Sequence, residues 1–552
     1  MSDASYDYIV VGAGSAGCAL AERLTRDGRT RVLLIEAGGS DRRFWIKVPI
    51  GYGVNFANPR LNWSYHAEPD AGLNGRRVYW PRGRVIGGSS SINAMTYMRG
   101  LPEDFDGWRD AGATGWAWRD VRSAFEAMER HLERGSDGTP RVRGAGPVCV
   151  SDLEDQMNPF SARFLAAARA CGWACCEDLS TTTGEAVGYY RSTVSRGMRW
   201  SAADAFLAPA RRRPNLRVMT GVLVERVTFD GKRATGLRCR QGGEGFEVTA
   251  GREVILSAGA VNSPKLLQLS GIGDGGLLRG LGLDVRHHLP EVGRGLQDHL
   301  AISHVFRATT PTLNNILGRR PARLLAGAHY LLARRGPLGV PVNQVGGYVR
   351  SKEGVSRPDM QIYCNPMSYG SGPDGRPVLD REPGYLISAQ LCRPTSRGEI
   401  AIRSADPSEA PLIRANSLTT AHDRAGARRA MAIIDRLAAA PALAEVTEGR
   451  LVPAPDIADP DTLMQDFRER ASTVFHPTST CRMGHGPDDS VLDARLKVHG
   501  VAGLRVVDAS AFPAVTSGNT NAPTMMLATR AAEMILEDAA TGTHDRRIAH
   551  AP

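Results

Sequence analysis

The sequence predicts an α/β fold built on a parallel sheet, and three observations carry that reading. A short apolar run rich in β-branched residues, Tyr-Asp-Tyr-Ile-Val-Val-Gly at 6–12, leads into glycines at Gly12, Gly14 and Gly17 and then a helical stretch, Cys18–Leu24. A second buried-strand run, Arg31-Val32-Leu33-Leu34-Ile35, ends in Glu36. Strand-like segments resume far along the chain at 216–219, 222–227, 236–239 and 253–256.

Each part of the N-terminal unit has a chemical reason. Gly12 permits a tight turn, Gly14 lets the backbone approach a pyrophosphate, and Gly17 lets helix and strand pack closely. The helix N-terminus offers partial positive charge and free N–H groups to phosphates. Glu36 stands at the right distance to accept hydrogen bonds from a ribose, and an acid there disfavours an added phosphate. Strand, turn, helix and acid together predict dinucleotide binding.

Three further stretches resemble the glucose–methanol–choline (GMC) family of FAD-dependent oxidoreductases. Gly83-Arg84-Val85-Ile86-Gly87-Gly88-Ser89-Ser90-Ser91-Ile92-Asn93, followed by Tyr97, Arg99 and Gly100, looks like the family's first signature. The segment from Gly259 through Ser263-Pro264 to Gly273 looks like its second. Val506-Val507-Asp508-Ala509-Ser510 and Gly518 through Thr524 are also similar, so the resemblance runs from residue 6 to about residue 536. It implies a Rossmann-like FAD-binding domain, with a discontinuous substrate domain of antiparallel sheet and helices. It implies FAD held by Gly12, Gly14, Ser15, Ala16, Gly17, Glu36 and Ala37, and by Arg84, Val85, Gly88, Ser89, Asn93, Ala94, Met95 and Thr96. Val224, Ala258, Asp508, Ala509, Asn519, Thr520 and Thr524 complete that set.

The residues support the same picture physically. A Gly-Gly-Ser-Ser-Ser loop offers backbone N–H groups and small side chains to something flat and polar. Asn521 is expected to cap a helix running from Thr524 to about Glu537, with Pro523 in its first turn. In the family such a helix points its N-terminus at the flavin, where its dipole favours the anionic reduced form. Some members attach the flavin covalently through a histidine beside the signature Asn. This chain has Ile92 there, so non-covalent FAD is expected.

Alcohol oxidation needs a base at the hydroxyl and a hydride acceptor beside the C–H. His476, in Phe475-His476-Pro477, resembles the family's active-site histidine, and Asn519 resembles its partner, His or Asn in different members. The expected roles are His476 as base, Asn519 as donor fixing the oxygen, and flavin N5 as hydride acceptor. His287-His288 read as surface-loop residues beside a strand-like Leu283–Val285. Asp298-His299 resembles a family loop passing near the cofactor, with a structural role. No His/Cys/Asp cluster, Cys171 with Cys175-Cys176 included, has persuasive metal spacing.

Composition bounds the remainder. At 552 residues the chain can hold two domains or one large discontinuous fold. Nine cysteines cannot all pair and show no framework spacing, which predicts a reducing compartment. A strand beginning by residue 6 leaves no room for a signal peptide, and no apolar run reaches the ~20 residues of a membrane span. The expectation is a cytoplasmic protein, with contact at the periphery of the inner membrane as a variant; oligomeric state is left open. The net charge of +10 is spread along the chain, and all but five of the 68 basic residues are arginine. Clusters such as Arg211–Arg213 and Arg319-Arg320 lack interleaved aromatics, so no nucleic-acid partner is expected.

The matches place cofactor-type sequence at 1–155, 190–301 and 470–540, a substrate cap at 156–189 and 302–469, and a polar tail at 541–552. Arg134–Pro147 and Pro366–Pro383 read as loops, the latter suited to a mouth over the site. Candidate pocket walls are Trp63, Asn343, Gln344, Tyr363, Tyr369 and Phe475. Relatives often carry a carboxylate near Gly-Gly-(Tyr/Phe)-Val-Arg-Ser; the neutral Gln344 here argues against a quaternary ammonium substrate and for a primary alcohol. The acceptor is expected to be a quinone or other carrier, with an oxygen-using oxidase as the alternative. The fold also hosts hydroxynitrile lyases and light-driven fatty acid decarboxylases, the latter lacking the matching histidine. A flavoprotein without turnover would need both His476 and Asn519 to be idle.

Overall fold

The computed structural model describes residues 6–135, 138–371, 377–454, 457 and 459–542. Its first sheet is organised on the strand Tyr6–Val11, which runs parallel to Val32–Glu36 on one side and to Glu244–Leu256 on the other. Leu216–Thr220 adds parallel to Val32–Glu36, and Leu504–Val506 adds parallel to residues 254–256. Tyr8, Ile9, Val10, Val32, Leu33 and Leu34 are fully buried, as strands covered on both faces require.

Glu244–Leu256 shows in one element why the sheet changes character. Its first nine residues alternate between exposed and partly buried, and there it pairs antiparallel with Arg233–Gln241, which pairs in turn with Val222–Asp230. Its last four residues are all buried, and there it enters the parallel sheet. The helix Ser15–Leu24 packs against the C-terminal helix, Asn521–Ala540, whose buried face runs from Ala522 to Ile535.

The second sheet is antiparallel, in the order Thr447–Val452, Leu300–Ala308, Gly384–Leu391, Met360–Asn365, Val345–Val349, Ala186–Tyr189. Strand periodicity divides its residues between two faces. Ile302, Phe306, Ile362, Cys364, Tyr385, Ile387 and Ala389 join an apolar cluster with Phe160, Phe164, Ile434 and Leu437 of the helices Phe160–Ala170 and Ala421–Ala438. Ala301, Ser303, Val305, Tyr363, Asn365, Leu386 and Ser388 face a large cavity. A one-residue slip in register would exchange these sets.

Several expectations are corrected here. Arg134–Pro147 is not simply loop: Glu129–Arg134 and Pro140–Arg143 form a hairpin arm. Leu283–Val285 is not a strand, whereas His287-His288 pair parallel with Ile272-Gly273. Within 366–383, Tyr369–Ser371 pairs with Pro377–Leu379, and the residues between lie outside the described set. The boundary expected at 301/302 falls inside Leu300–Ala308, and Ser472-Thr473 pair with that strand although 470–540 was assigned to the cofactor unit. Beyond Gly542 the tail lies outside the described residues. All nine cysteines are free, and no helix among the described residues is long and apolar enough to cross a membrane.

Candidate active site

The two sheets enclose one cavity of about 1440 Å³, larger than a single small ligand occupies and continuous from the N-terminal glycines to Tyr369. At its dinucleotide end, Gly12 has φ +100°, and an added Cβ would lie 2.5 Å from the Ser257 carbonyl oxygen. Gly17 does not line the cavity; its Cβ would lie 1.8 Å from Gly12 O, so its smallness serves helix–strand packing. Gly14 heads the helix with no side-chain cap, which leaves the first amides of the helix for a ligand. The Glu36 carboxylate accepts from Ala13 N at 2.9 Å and Gly38 N at 2.8 Å, and burial raises its pKa to about 7.

Of the expected cofactor residues, Gly12, Gly14, Ser15, Ala16, Glu36, Ala37, Gly88, Ser89, Asn93, Ala94, Met95, Thr96, Val224, Ala258, Asp508, Ala509, Asn519, Thr520 and Thr524 line this cavity. Arg84 and Val85 do not; the Arg84 guanidinium lies over the Trp63 ring, 4.9 Å from its centroid, and Val85 is buried beside Ile46 and Ile92. Asn521 is the first helical residue rather than a cap, and its Oδ1 accepts from Ser15 Oγ at 2.7 Å, tying the two helix N-termini together. Thr520 precedes that helix without a side-chain cap, so this end too keeps free amides at the cavity. The Thr96 hydroxyl is buried there with no partner.

Trp63, Asn343, Tyr363, Tyr369 and Phe475 also line the cavity. Gln344 does not. Its buried amide oxygen accepts from Asn158 N at 2.8 Å and Ser161 Oγ at 2.9 Å, so it pins the start of a helix and says nothing about substrate charge.

His476 is held by groups the sequence reading did not connect. Its amide donates to Asp298 Oδ1 at 2.8 Å, and the preceding Phe475 is kept at φ +70° by Arg82, which donates to Phe475 O at 2.8 Å. The ring makes two contacts. His476 Nδ1 is 2.9 Å from His299 Nδ1, and His476 Nε2 is 3.2 Å from Asn519 Nδ2. His299 Nε2 is 2.8 Å from Cys392 O, and a carbonyl can only accept. His299 therefore carries its proton on Nε2, its Nδ1 accepts, and His476 must donate from Nδ1. The His476 Nε2 lone pair is left facing Asn519 and the cavity. On the far side Gln361 Nε2 donates to Asn519 Oδ1 at 3.4 Å and Gln390 Nε2 to Gln361 Oε1 at 3.0 Å, which fixes the Asn519 amide with its N–H toward His476.

Burial, then His299, then the charge of Arg82 hold His476 well below the usual histidine range; burial lowers His299 to about 4. Burial raises Asp298 to about 6 and lowers Arg82 to about 10. Elsewhere, His131, Glu133 and Asp178 bring ligand atoms within 4.8 Å of one another, but Arg143 pairs with both carboxylates.

Sequence models described as GMC oxidoreductase match residues 6–301 and 394–528. The chain belongs to the GMC oxidoreductase family. It is 41% identical to mouse mitochondrial choline dehydrogenase over 540 residues, covering 96% of this chain and 89% of that one. It is 40% identical to the alcohol dehydrogenase (acceptor) of Pseudomonas putida, covering 98% of each. Among solved structures, pyridoxine 4-oxidase from Mesorbium loti superposes with TM-score 0.85 at 31% identity over 97% of this chain and 99% of that one. As in the family, the cofactor is FAD. The donor set fits it: two uncapped helix N-termini, the buried Glu36 carboxylate and an unpartnered Thr96 hydroxyl share one cavity.

Proposed function

We propose that this GMC oxidoreductase oxidises a primary alcohol to the aldehyde and passes the electrons to a quinone or other carrier. Bound FAD supplies the hydride acceptor. The helix N-terminus at Gly14 to Ala16 would face its pyrophosphate, Glu36 its adenosine ribose, and the N-terminus of Asn521–Ala540 its flavin end.

One observation carries the reading: His476 Nε2 and Asn519 Nδ2 lie 3.2 Å apart at the cavity wall, one an acceptor and one a donor. An alcohol oxygen seated on the cavity side, within hydrogen-bond reach of both, accepts from Asn519 and gives its proton to His476. Neutral His476 is ready for that role because burial disfavours its charged form. As charge develops on the ring, its Nδ1–H stays bound to His299. The walls beyond, Ile50, Tyr52, Phe56, Leu317, Met367 and Leu379, suit an aliphatic or aromatic chain.

The test is an anaerobic titration of the FAD-loaded protein with a panel of primary alcohols, followed in the visible flavin bands. Bleaching by an alcohol, with colour returning on added quinone faster than on air, supports the proposal. Bleaching followed by rapid recovery in air would favour an oxidase, and a flavin that no alcohol bleaches would sink the proposed reaction.

A further inference from the structure

The helix Arg320–Ala333 has two unlike sides. Ala326 and Tyr330 are buried against Val48, Leu317, Leu338, Val342 and Met367. At the helical spacing of about 100° per residue, Leu324, Leu325, Ala328, Leu331 and Leu332 fall in a sector about 120° wide on the opposite side. The four leucines are 74%, 72%, 57% and 89% exposed. Single exposed leucines are ordinary, but a contiguous stripe of them marks a contact surface.

Charge identifies the contact. Arg319, Arg320 and Arg323 crowd the helix N-terminus, Arg334 and Arg335 follow its end, and no Asp or Glu occurs between residues 319 and 352. Cations at a helix N-terminus oppose the helix dipole, so these three do not serve the helix itself. None of the three makes an ion pair among the described residues. Arg335 pairs with Asp155 and Arg334 lies over the Tyr330 ring. Leucines preceded by unpaired arginines match an anionic lipid surface, with the apolar side chains at the acyl boundary and guanidinium groups at the phosphates. A second copy of the chain would set arginine against arginine across a two-fold interface.

We propose that this face of helix Arg320–Ala333 docks the protein on an anionic membrane surface. The helix lies flat: it is held by Ala326 and Tyr330, and its 14 residues span only about 21 Å, short of a bilayer core. The same cluster contributes Leu317 and Met367 to the cavity lining, so the docked face is one layer of side chains from the cavity. A second exposed apolar pair, Phe44 and Trp45, lies in the short helix that leads into Val48 of that cluster and follows Arg42 and Arg43. Docking does not depend on which alcohol or acceptor is used.

The experiment is co-sedimentation of the full-length, FAD-loaded protein with phosphatidylcholine vesicles, with and without phosphatidylglycerol. The parent should bind the anionic vesicles and be released by high salt. L324S/L325S/L331S/L332S should bind them at least about tenfold more weakly, with flavin spectrum and melting temperature unchanged. R319Q/R320Q/R323Q should lose the preference for phosphatidylglycerol. A parent protein that fails to sediment with anionic vesicles at low salt would overturn the proposal, whatever the variants do. So would a leucine variant that binds like the parent, or one that changes a dimer to a monomer without altering vesicle binding.

Discussion

His299 and His476 meet through their Nδ1 atoms at 2.9 Å, and the Cys392 carbonyl at the far side of His299 decides which of them donates. The hydrogen bonds form one directed chain: Gln390 to Gln361, Gln361 to Asn519, Asn519 to His476, His476 to His299, His299 to Cys392 O. It begins at and returns to the neighbourhood of one strand, since Gln390 lies in Gly384–Leu391 and Cys392 follows it. A backbone carbonyl cannot change role, so the His476 ring is oriented without a carboxylate on it.

Replacing His476 with Ala would remove the proposed base while sparing the other cavity-lining residues expected to hold the cofactor. The rate of flavin reduction by the best alcohol should fall by a factor of roughly 100 to 10,000 with FAD still bound, as stopped-flow absorbance would show. A rate within about tenfold of the parent would contradict the assignment.

In the proposed mechanism His299 acts through His476 as a positioning residue, accepting from its Nδ1–H at 2.9 Å. His299→Leu takes away the acceptor for His476 Nδ1–H, which would weaken the proposed base and free the ring to turn. We expect kcat to fall about tenfold or more with little change in KM, and partial recovery in His299→Gln, whose amide can both accept from His476 and donate to Cys392 O. Equal loss in Leu and Gln variants would reduce His299 to a space-filling role.

How much of this was legible follows from locality. The strand at 6–11, the glycine turn and Glu36 are local patterns, and their parts carry the positions the sequence assigns. The hairpin arm Pro140–Arg143 hides in a Gly-, Arg- and Pro-rich stretch whose composition reads as loop, and its four exposed residues offer no burial alternation to offset that reading. Gln344 sits close in sequence to Asn343, yet its side chain turns to Asn158 and Ser161 while Asn343 lines the cavity. His299 and Cys392 are 93 residues apart and meet only through strand pairing, and Arg82 reaches Phe475 across 393, so no spacing could announce either contact.

The depressed pKa of His476 makes a prediction about pH. The ring is neutral through the ordinary histidine range, so alcohol-driven flavin reduction should show no titration between pH 6 and 7. Activity should decline as pH falls toward about 4, where His299 protonates and ceases to accept from His476. In both rings the folded pKa lies below the unfolded one, so the unfolded chain takes up protons first. Their contribution to stability is present above about pH 6.5 and lost as pH falls through that window. An acid limb with an apparent pKa between 6 and 7 would show that the base is charged where burial says it is not.

Ile92 is buried at the cavity beside Asn93, and an alkyl side chain offers no atom for a bond to flavin. Acid precipitation should therefore release all the yellow colour into the supernatant, and a pellet that keeps it would reveal a covalent attachment at another residue.

A buried charge cluster ties the far end of the C-terminal helix to the parallel sheet, and we expect it to link stability to the cofactor. Arg505, fully buried, donates to Glu253 at 2.6 and 2.9 Å and to Asp538 at 2.7 Å, bridging the long strand of the parallel sheet to the helix Asn521–Ala540. Against burial, which raises it, Arg505, Lys497 and Arg495 hold Asp538 down to about 2. Arg505→Met removes the guanidinium from between two carboxylates, a change that costs about 3–5 kcal/mol when a buried pair is broken from one side. Because the other end of this helix presents Thr520 and Thr524 to the cavity, the variant should melt several degrees lower and also release FAD more readily. Loss of thermal stability with unchanged FAD affinity would mean that the helix N-terminus is held by its own contacts, such as Asn521 with Ser15, and not by the cluster at its far end.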